Sequence, residues 1–316
     1  MRPQAALLLT IAHVCIAGAQ VKTASQIAVT SGSRLTVPGG EIWYRVTGGG
    51  SGTPVILLHG GPGNASVYLK SLEALSTERA VVRYDQLGAG YSDAVHDTSL
   101  FNIRHFVEEL ELLRRHLAVE RVHLYGHSWG ATLALEYYRA YPEHVTSLTL
   151  ASETLDLPAF SANVRSLFES MPDSMSRAVR LRMAGAPYDS TAYQAAMRSF
   201  RGHFTRSPVA VEADSLTRLS NPEIAAYMMG TNPFTPAGTL RNYDATAFLS
   251  QVKVPVLFVV GEFDVAGPDI VRRHTSLTPG ARLVVIPNAG HHIQWDNASA
   301  TQDAVRSFLR TADSRR

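Results

Sequence analysis

Short apolar runs, each about one strand long and closed by glycine or a polar residue, recur along this chain. They read PVILLHG, AVVRYD, RVHLYG, VTSLTLAS, VPVLFVVGEFD and ARLVVIPNAG. Segments of helical character separate them: one near Tyr68–Ser76, an amphipathic one over roughly 101–117, and one after Ser128 to about Tyr141. Two more fall around Asp269–Leu277 and from about Ser299 onward. Apolar strands alternating with helices predict right-handed βαβ units and a mostly parallel sheet covered on both faces. Ahead of them, SRLTV and EIWYRVT meet at Pro38-Gly39-Gly40 and predict an antiparallel pair, followed by a flexible GGGSGT turn.

The alternation stops near Glu153. From 153 to about 245 the chain is rich in helix formers, broken by several prolines, and carries no strong strand pattern. An insertion between two core strands predicts a helical cap over the strands' carboxyl ends, where open α/β sheets bind their ligands. The expected division is a core of residues 20–152 and 246–316 and a cap of residues 153–245. No internal repeat or low-complexity tract interrupts it.

The first twenty residues follow a different pattern. Arg2 precedes a mostly apolar stretch from Ala5 to Ile16, and Ala17-Gly18-Ala19 supplies small residues before Gln20. This predicts a signal peptide over residues 1–19 and a periplasmic or secreted protein. The apolar part is shorter than the roughly 20 residues of a membrane span, so no integral span is expected. Cys15, the single cysteine, lies inside it. A mature chain without thiols has no disulfide, no thiol nucleophile and no cysteine metal site.

Composition adds boundaries rather than detail. With 316 residues, 45% hydrophobic and 18% charged, the chain can bury a sizeable core. A net charge of +2 leaves no electrostatic footprint for nucleic acid or an anionic membrane. No cluster of His, Asp and Glu has zinc spacing, so neither a metal nor another cofactor is expected.

Two glycine-rich stretches carry the chemistry. HLYGHSWGATLALEYY places Gly126-x-Ser128-x-Gly130 between a strand and a helix. A serine at a sharp strand-to-helix turn needs neighbours without side chains, which these glycines supply. Its hydroxyl becomes a useful nucleophile only if a base takes the proton and a third group orients the base. Candidates stand at later strand ends: Asp264 closing VLFVVGEFD, and His291 closing LVVIPNAGHH. His292 competes with His291, and Glu262 with Asp264. The other stretch, VILLHGGPGN, lacks the GxGxxG or GxxxxGK[ST] pattern of a phosphate loop. Its bare amides suit a transient oxyanion, with Gly61 as donor and Gly60 behind it, opposite the Trp129 amide. His59 and His127 read as loop supports, and Asp85 in YDQLGAGYS as a residue that fixes its loop.

Together HGGPG, YDQLGAGYS, GHSWG, GEFD and NAGHH resemble the proline iminopeptidase family of α/β-hydrolases, most of all its tricorn-associated aminopeptidase branch. The resemblance spans essentially the whole mature chain. It implies the α/β-hydrolase fold, a mostly parallel eight-stranded sheet with helices on both faces and an inserted helical cap. It implies Ser128, Asp264 and His291 as a catalytic triad that releases an N-terminal residue, often proline, from a short peptide or amide. Two departures stand out: Leu87 replaces the arginine of YDQRG, and Asn232-Pro233-Phe234 carries proline where the family has a cap glutamate. Substrate contacts then fall to Phe234 and to another acid among Glu153, Glu212, Asp214 and Glu223. The alternative is an esterase or amidase on the same triad that does not read a free amine. Dehalogenase and epoxide hydrolase chemistry is excluded by serine, not aspartate, at the elbow.

Overall fold

The computed structural model describes residues 28–207, 216–231 and 237–314. The expected signal peptide at 1–19 lies outside the described residues. Strands β1 (Ser33–Val37), β2 (Gly40–Thr47), β3 (Gly52–Leu58), β4 (Arg79–Asp85), β5 (Val122–His127), β6 (Val145–Ala151), β7 (Val256–Gly261) and β8 (Arg282–Ile286) form one sheet. Their order is β1-β2-β4-β3-β5-β6-β7-β8. β1 and β2 run antiparallel, and β3 to β8 are parallel to one another.

The apolar runs follow from burial on two sides. Along β3, Val55 and Leu57 enter one core while Ile56 and Leu58 enter the other. The first core receives Phe106, Leu110 and Leu113 of α1 (Ile103–His116) and Leu133 and Tyr137 of α2 (Trp129–Ala140). The opposite core receives Val305, Phe308 and Leu309 of the C-terminal helix (Ala298–Asp313) and the segment Ser66–Thr77. That segment is wound as a 3₁₀-helix. Its buried Leu69, Leu72 and Leu75 recur every third residue, the period at which 3₁₀ side chains eclipse. β2 faces solvent on one side, so only Ile42, Tyr44 and Val46 alternate inward.

Between β6 and β7 the chain forms α3 (Leu157–Glu169), α4 (Asp173–Met183), α5 (Ser190–Arg201) and α6 (Pro222–Met228). Val164, Phe168, Val179, Ala196 and Phe200 give this segment a small core of its own, joined by Val265 from the loop after β7. Its two ends are clipped by a bridge at Asp156 and Asp244, with Leu157 N–H to Tyr243 C=O at 3.0 Å and Ala245 N–H to Leu155 C=O at 2.9 Å. It also holds the strand-end loops beneath it. The His203 carbonyl accepts the His291 amide at 2.9 Å, and the Phe204 carbonyl accepts that of His292 at 2.8 Å.

At the opposite end of the sheet the C-terminal helix is latched by Asp313. Its carboxylate takes Thr53 Oγ1 at 2.7 Å, buried Arg79 at 2.9 Å and His123 Nε2 at 3.1 Å. Burial pulls this carboxyl's pKa up, but the bonds from His123 and Thr53 and the charge of Arg79 outweigh it and hold it well below the carboxylate range. Asp313→Asn leaves the Arg79 guanidinium without its nearest carboxylate, so it should destabilise the fold by about 2–4 kcal/mol at pH 7. A depressed folded-state pKa contributes stability that is fully present above the unfolded value and is lost as pH falls towards the folded one, so the gap should narrow progressively below about pH 4. Urea midpoints of both proteins at pH 7 and at about pH 2.5 check this, and an unchanged midpoint at pH 7 refutes it.

Candidate active site

Ser128 sits between β5 and α2 with φ 56° and ψ −123°, a conformation that only the surrounding backbone can impose. A Cβ on Gly126 would lie 2.1 Å from the Gly130 carbonyl oxygen, and one on Gly130 would lie 2.1 Å from that of Leu58. Both contacts are with main chain, which cannot swing aside. Glycine at these positions is therefore a packing requirement of the turn. The Ser128 amide donates to the Ala151 carbonyl at 2.9 Å, tying the turn to β6.

Asp264 and His291 come from the loops after β7 and β8. His291 Nδ1 lies 2.8 Å from Asp264 Oδ1, which also accepts the Ala266 amide at 2.8 Å. Burial raises the Asp264 pKa, but the charge and hydrogen bond of His291, with the bond from the Ala266 amide, more than reverse it, and the group is held below its ordinary value. An ionised carboxylate only accepts, so Nδ1 of His291 carries the proton and Nε2 is left bare. The His291 carbonyl is held by His127 Nε2 at 2.8 Å and Ser152 Oγ at 3.1 Å.

The competing candidates are engaged elsewhere. His292 donates Nδ1–H to the Phe204 carbonyl at 3.0 Å and stacks on Trp295 with centroids 4.8 Å apart. Burial, with the charge of His291 adding, pushes its pKa down to about 4, so it is neutral. Glu262 is exposed and accepts the Asn288 amide at 3.0 Å. Asp85 accepts the amides of Ser66 at 2.6 Å and Tyr91 at 2.9 Å, which fixes the loop that follows it.

A cavity of about 200 Å³ lies beneath the cap, lined by Gly61, Ser128, Leu157, Phe160, Phe204 and His291 among others. Among the described residues no partner takes up the backbone N–H of Gly61 or Trp129. Gly60 differs: its N–H is taken by the Tyr68 hydroxyl at 2.6 Å. That corrects its expected place as a second oxyanion donor, because a bonded amide cannot also face the cavity.

The substrate-binding acids divide. Glu153 is buried, with Oε1 at 2.7 Å from His274 Nδ1 and Oε2 accepting the Leu155 amide at 2.7 Å. It pins the start of the inserted segment directly behind Thr154, which does line the cavity. Glu223 is 62% exposed and pairs with His96 at 3.0 Å on the surface, away from the cavity wall. Glu212, Asp214 and Phe234 lie outside the described residues. Leu157, Phe160, Phe204 and Met229 form the apolar wall and were not singled out from the sequence. Leu157 and Phe160 lie on α3, where helical periodicity marks an inward face without saying whether it meets a core or a cavity, and Phe204 and Met229 lie in turns with no periodic signal. Among the described residues no group of three or more His, Cys, Asp or Glu is placed to hold a metal, and no helix is long and apolar enough to cross a membrane.

Comparison with known proteins agrees with this architecture. Residues 53–298 match a family described as the alpha/beta hydrolase fold. The chain is 35% identical over 262 residues to a proline iminopeptidase of Heyndrickxia coagulans, a match covering 81% of this chain and 91% of that protein. Against a proline iminopeptidase of Saccharolobus solfataricus it is 31% identical over 274 residues, covering 84% and 87% of the two chains. Among solved structures, a proline iminopeptidase of Mycobacterium smegmatis aligns with a TM-score of 0.81 at 29% identity, covering 90% of this chain and 99% of that one.

Proposed function

Because this chain belongs to the α/β-hydrolase fold family, and within it to the proline iminopeptidases, we propose that it is a serine aminopeptidase that removes an N-terminal proline, or another small apolar residue, through an acyl-enzyme. The observation that carries the reading is the His291–Asp264 bond of 2.8 Å beside a cavity that Ser128 and Gly61 share with His291. His291 Nε2 takes the Ser128 proton as Oγ attacks the scissile carbonyl carbon. The resulting oxyanion faces the amides of Gly61 and Trp129, each donor lowering the barrier by about 3–4 kcal/mol. The imidazolium then protonates the leaving amine, and a water activated by the same imidazole releases the bound residue. A wall of Leu157, Phe160, Phe204 and Met229 suits an apolar side chain of single-residue size. Short peptides and amino-acid amides are the substrates of this reading, and export rests on the amino-terminal sequence pattern.

One observation favours the esterase or amidase reading. None of the described residues lining the cavity is acidic, and a desolvated ammonium without a counter-charge is costly. Proline arylamide compared with acetyl-proline arylamide separates the two. An aminopeptidase should lose at least about 100-fold in kcat/KM on the blocked substrate, equivalent to one lost charged contact. Equal rates, with faster turnover of short acyl esters, favour the alternative.

A further inference from the structure

We infer that His59 is a positioning residue for the oxyanion hole, locking the Gly60–Gly61 peptide so that the Gly61 N–H faces Ser128. This rests on the serine-hydrolase reading above and adds to it the element that aims the donor. His59 is fully buried at the end of β3. Its Nε2 lies 2.9 Å from the Gln86 amide nitrogen, and its Nδ1 lies 2.9 Å from the Gly60 carbonyl oxygen. A backbone N–H can only donate, so Nε2 is bare and the ring proton sits on Nδ1, where it bonds the carbonyl. Burial, which outweighs the opposing charge of Asp85, holds the ring neutral and supports that tautomer.

The consequence follows from peptide planarity. The Gly60 C=O and the Gly61 N–H belong to one trans peptide unit and point in opposite directions. A carbonyl held on the His59 side turns the N–H to the other side, where Gly61 lines the cavity with Ser128 and His291. The lock is needed because two consecutive glycines rotate freely. A flipped peptide would present a carbonyl dipole to the oxyanion. The Asn64 amide adds a longer bond to the same carbonyl at 3.3 Å. Gln86 joins the clamp to the nucleophile turn, since its Oε1 accepts Trp129 Nε1–H at 2.9 Å while its Nε2 donates to the His59 carbonyl at 3.0 Å. From the other side Tyr68 accepts the Gly60 N–H and donates to His127 Nδ1 at 2.9 Å, so both faces of Gly60 are tied.

The test compares His59→Leu with His59→Asn, whose side-chain NH₂ can stand in for the Nδ1 donor. Fluorophosphonate titration counts working sites, and kcat, KM and affinity for a proline boronate are measured per site. Leu should lower kcat about 100–1,000-fold with KM within threefold, the loss expected for one oxyanion donor, and weaken the boronate by the same factor. Asn should recover at least tenfold. A kcat within twofold of wild type for Leu, or an equal loss for Leu and Asn, overturns the inference. Should the Leu protein not fold, ¹⁵N spectra of the wild-type histidines decide, with Nδ1–H supporting and Nε2–H at His59 overturning it. A wild type that neither reacts with fluorophosphonate nor turns over sinks the serine-hydrolase reading itself. A reactive wild type with an indifferent His59 sinks only the clamp.

Discussion

Ser128→Ala is expected to lower kcat on proline arylamide by at least about 10⁴-fold while leaving the fold intact. The substitution removes only Oγ, the atom that would attack. Alanine pays the same backbone strain at φ 56° as serine does, and the main-chain bond from residue 128 to the Ala151 carbonyl is unaffected. KM should change little, since the cavity walls of Leu157, Phe160, Phe204 and Met229 remain. Covalent labelling by a fluorophosphonate should vanish together with turnover. Residual catalysis would come from the Gly61 and Trp129 amides and from binding alone. Labelling that survives in the alanine protein, located by mass spectrometry on another serine, overturns the assignment of the nucleophile. Ser152, which follows β6, offers no rival, since it is fully buried with its Oγ given to the His291 carbonyl.

Much of this arrangement was legible because the constraints that made it are local. β3 through β7 are buried on both faces, so their letters are almost unbroken apolar runs, and the spacing between those runs gives the βαβ order. Gly126 and Gly130 were legible because backbone oxygens stand 2.1 Å from where their Cβ atoms would be, a demand that one residue type meets. Asp264 and His291 were legible as polar residues at strand ends over which a cap was expected. The illegible parts depend on partners distant in sequence or on main chain. Glu153 resembles a free acid until His274, more than a hundred residues later, closes on it. Gly60 and Gly61 are interchangeable as letters, and only the Tyr68 hydroxyl tells which amide is spent. The loop at His203 and Phe204 holds both strand-end histidines through carbonyl groups, which leave no mark in the sequence. Export, predicted from residues 1–19, concerns a segment outside the described residues.

Asp264→Asn tests the other half of the site and should cost nearly as much as losing the nucleophile, roughly 10⁴-fold in kcat. The side chain keeps its size in a place only 2% exposed, so packing changes little. What changes is the direction of the bond to His291. A carboxylate accepts from Nδ1–H, whereas an amide can offer its NH₂ to Nδ1 and so move the ring proton to Nε2. A ring protonated at Nε2 cannot take the Ser128 proton. The buried acceptor for the imidazolium disappears as well, so the transition state loses both the base and its counter-charge. Neighbouring groups offer no substitute: Glu262 is exposed and bound to the Asn288 amide, and His292 is stacked on Trp295. Single-turnover rates on an activated ester, measured beside a circular dichroism melt, separate chemistry from folding. A kcat within about tenfold of wild type would mean that His291 keeps its working tautomer without Asp264, and the triad assignment would then fail at its acid.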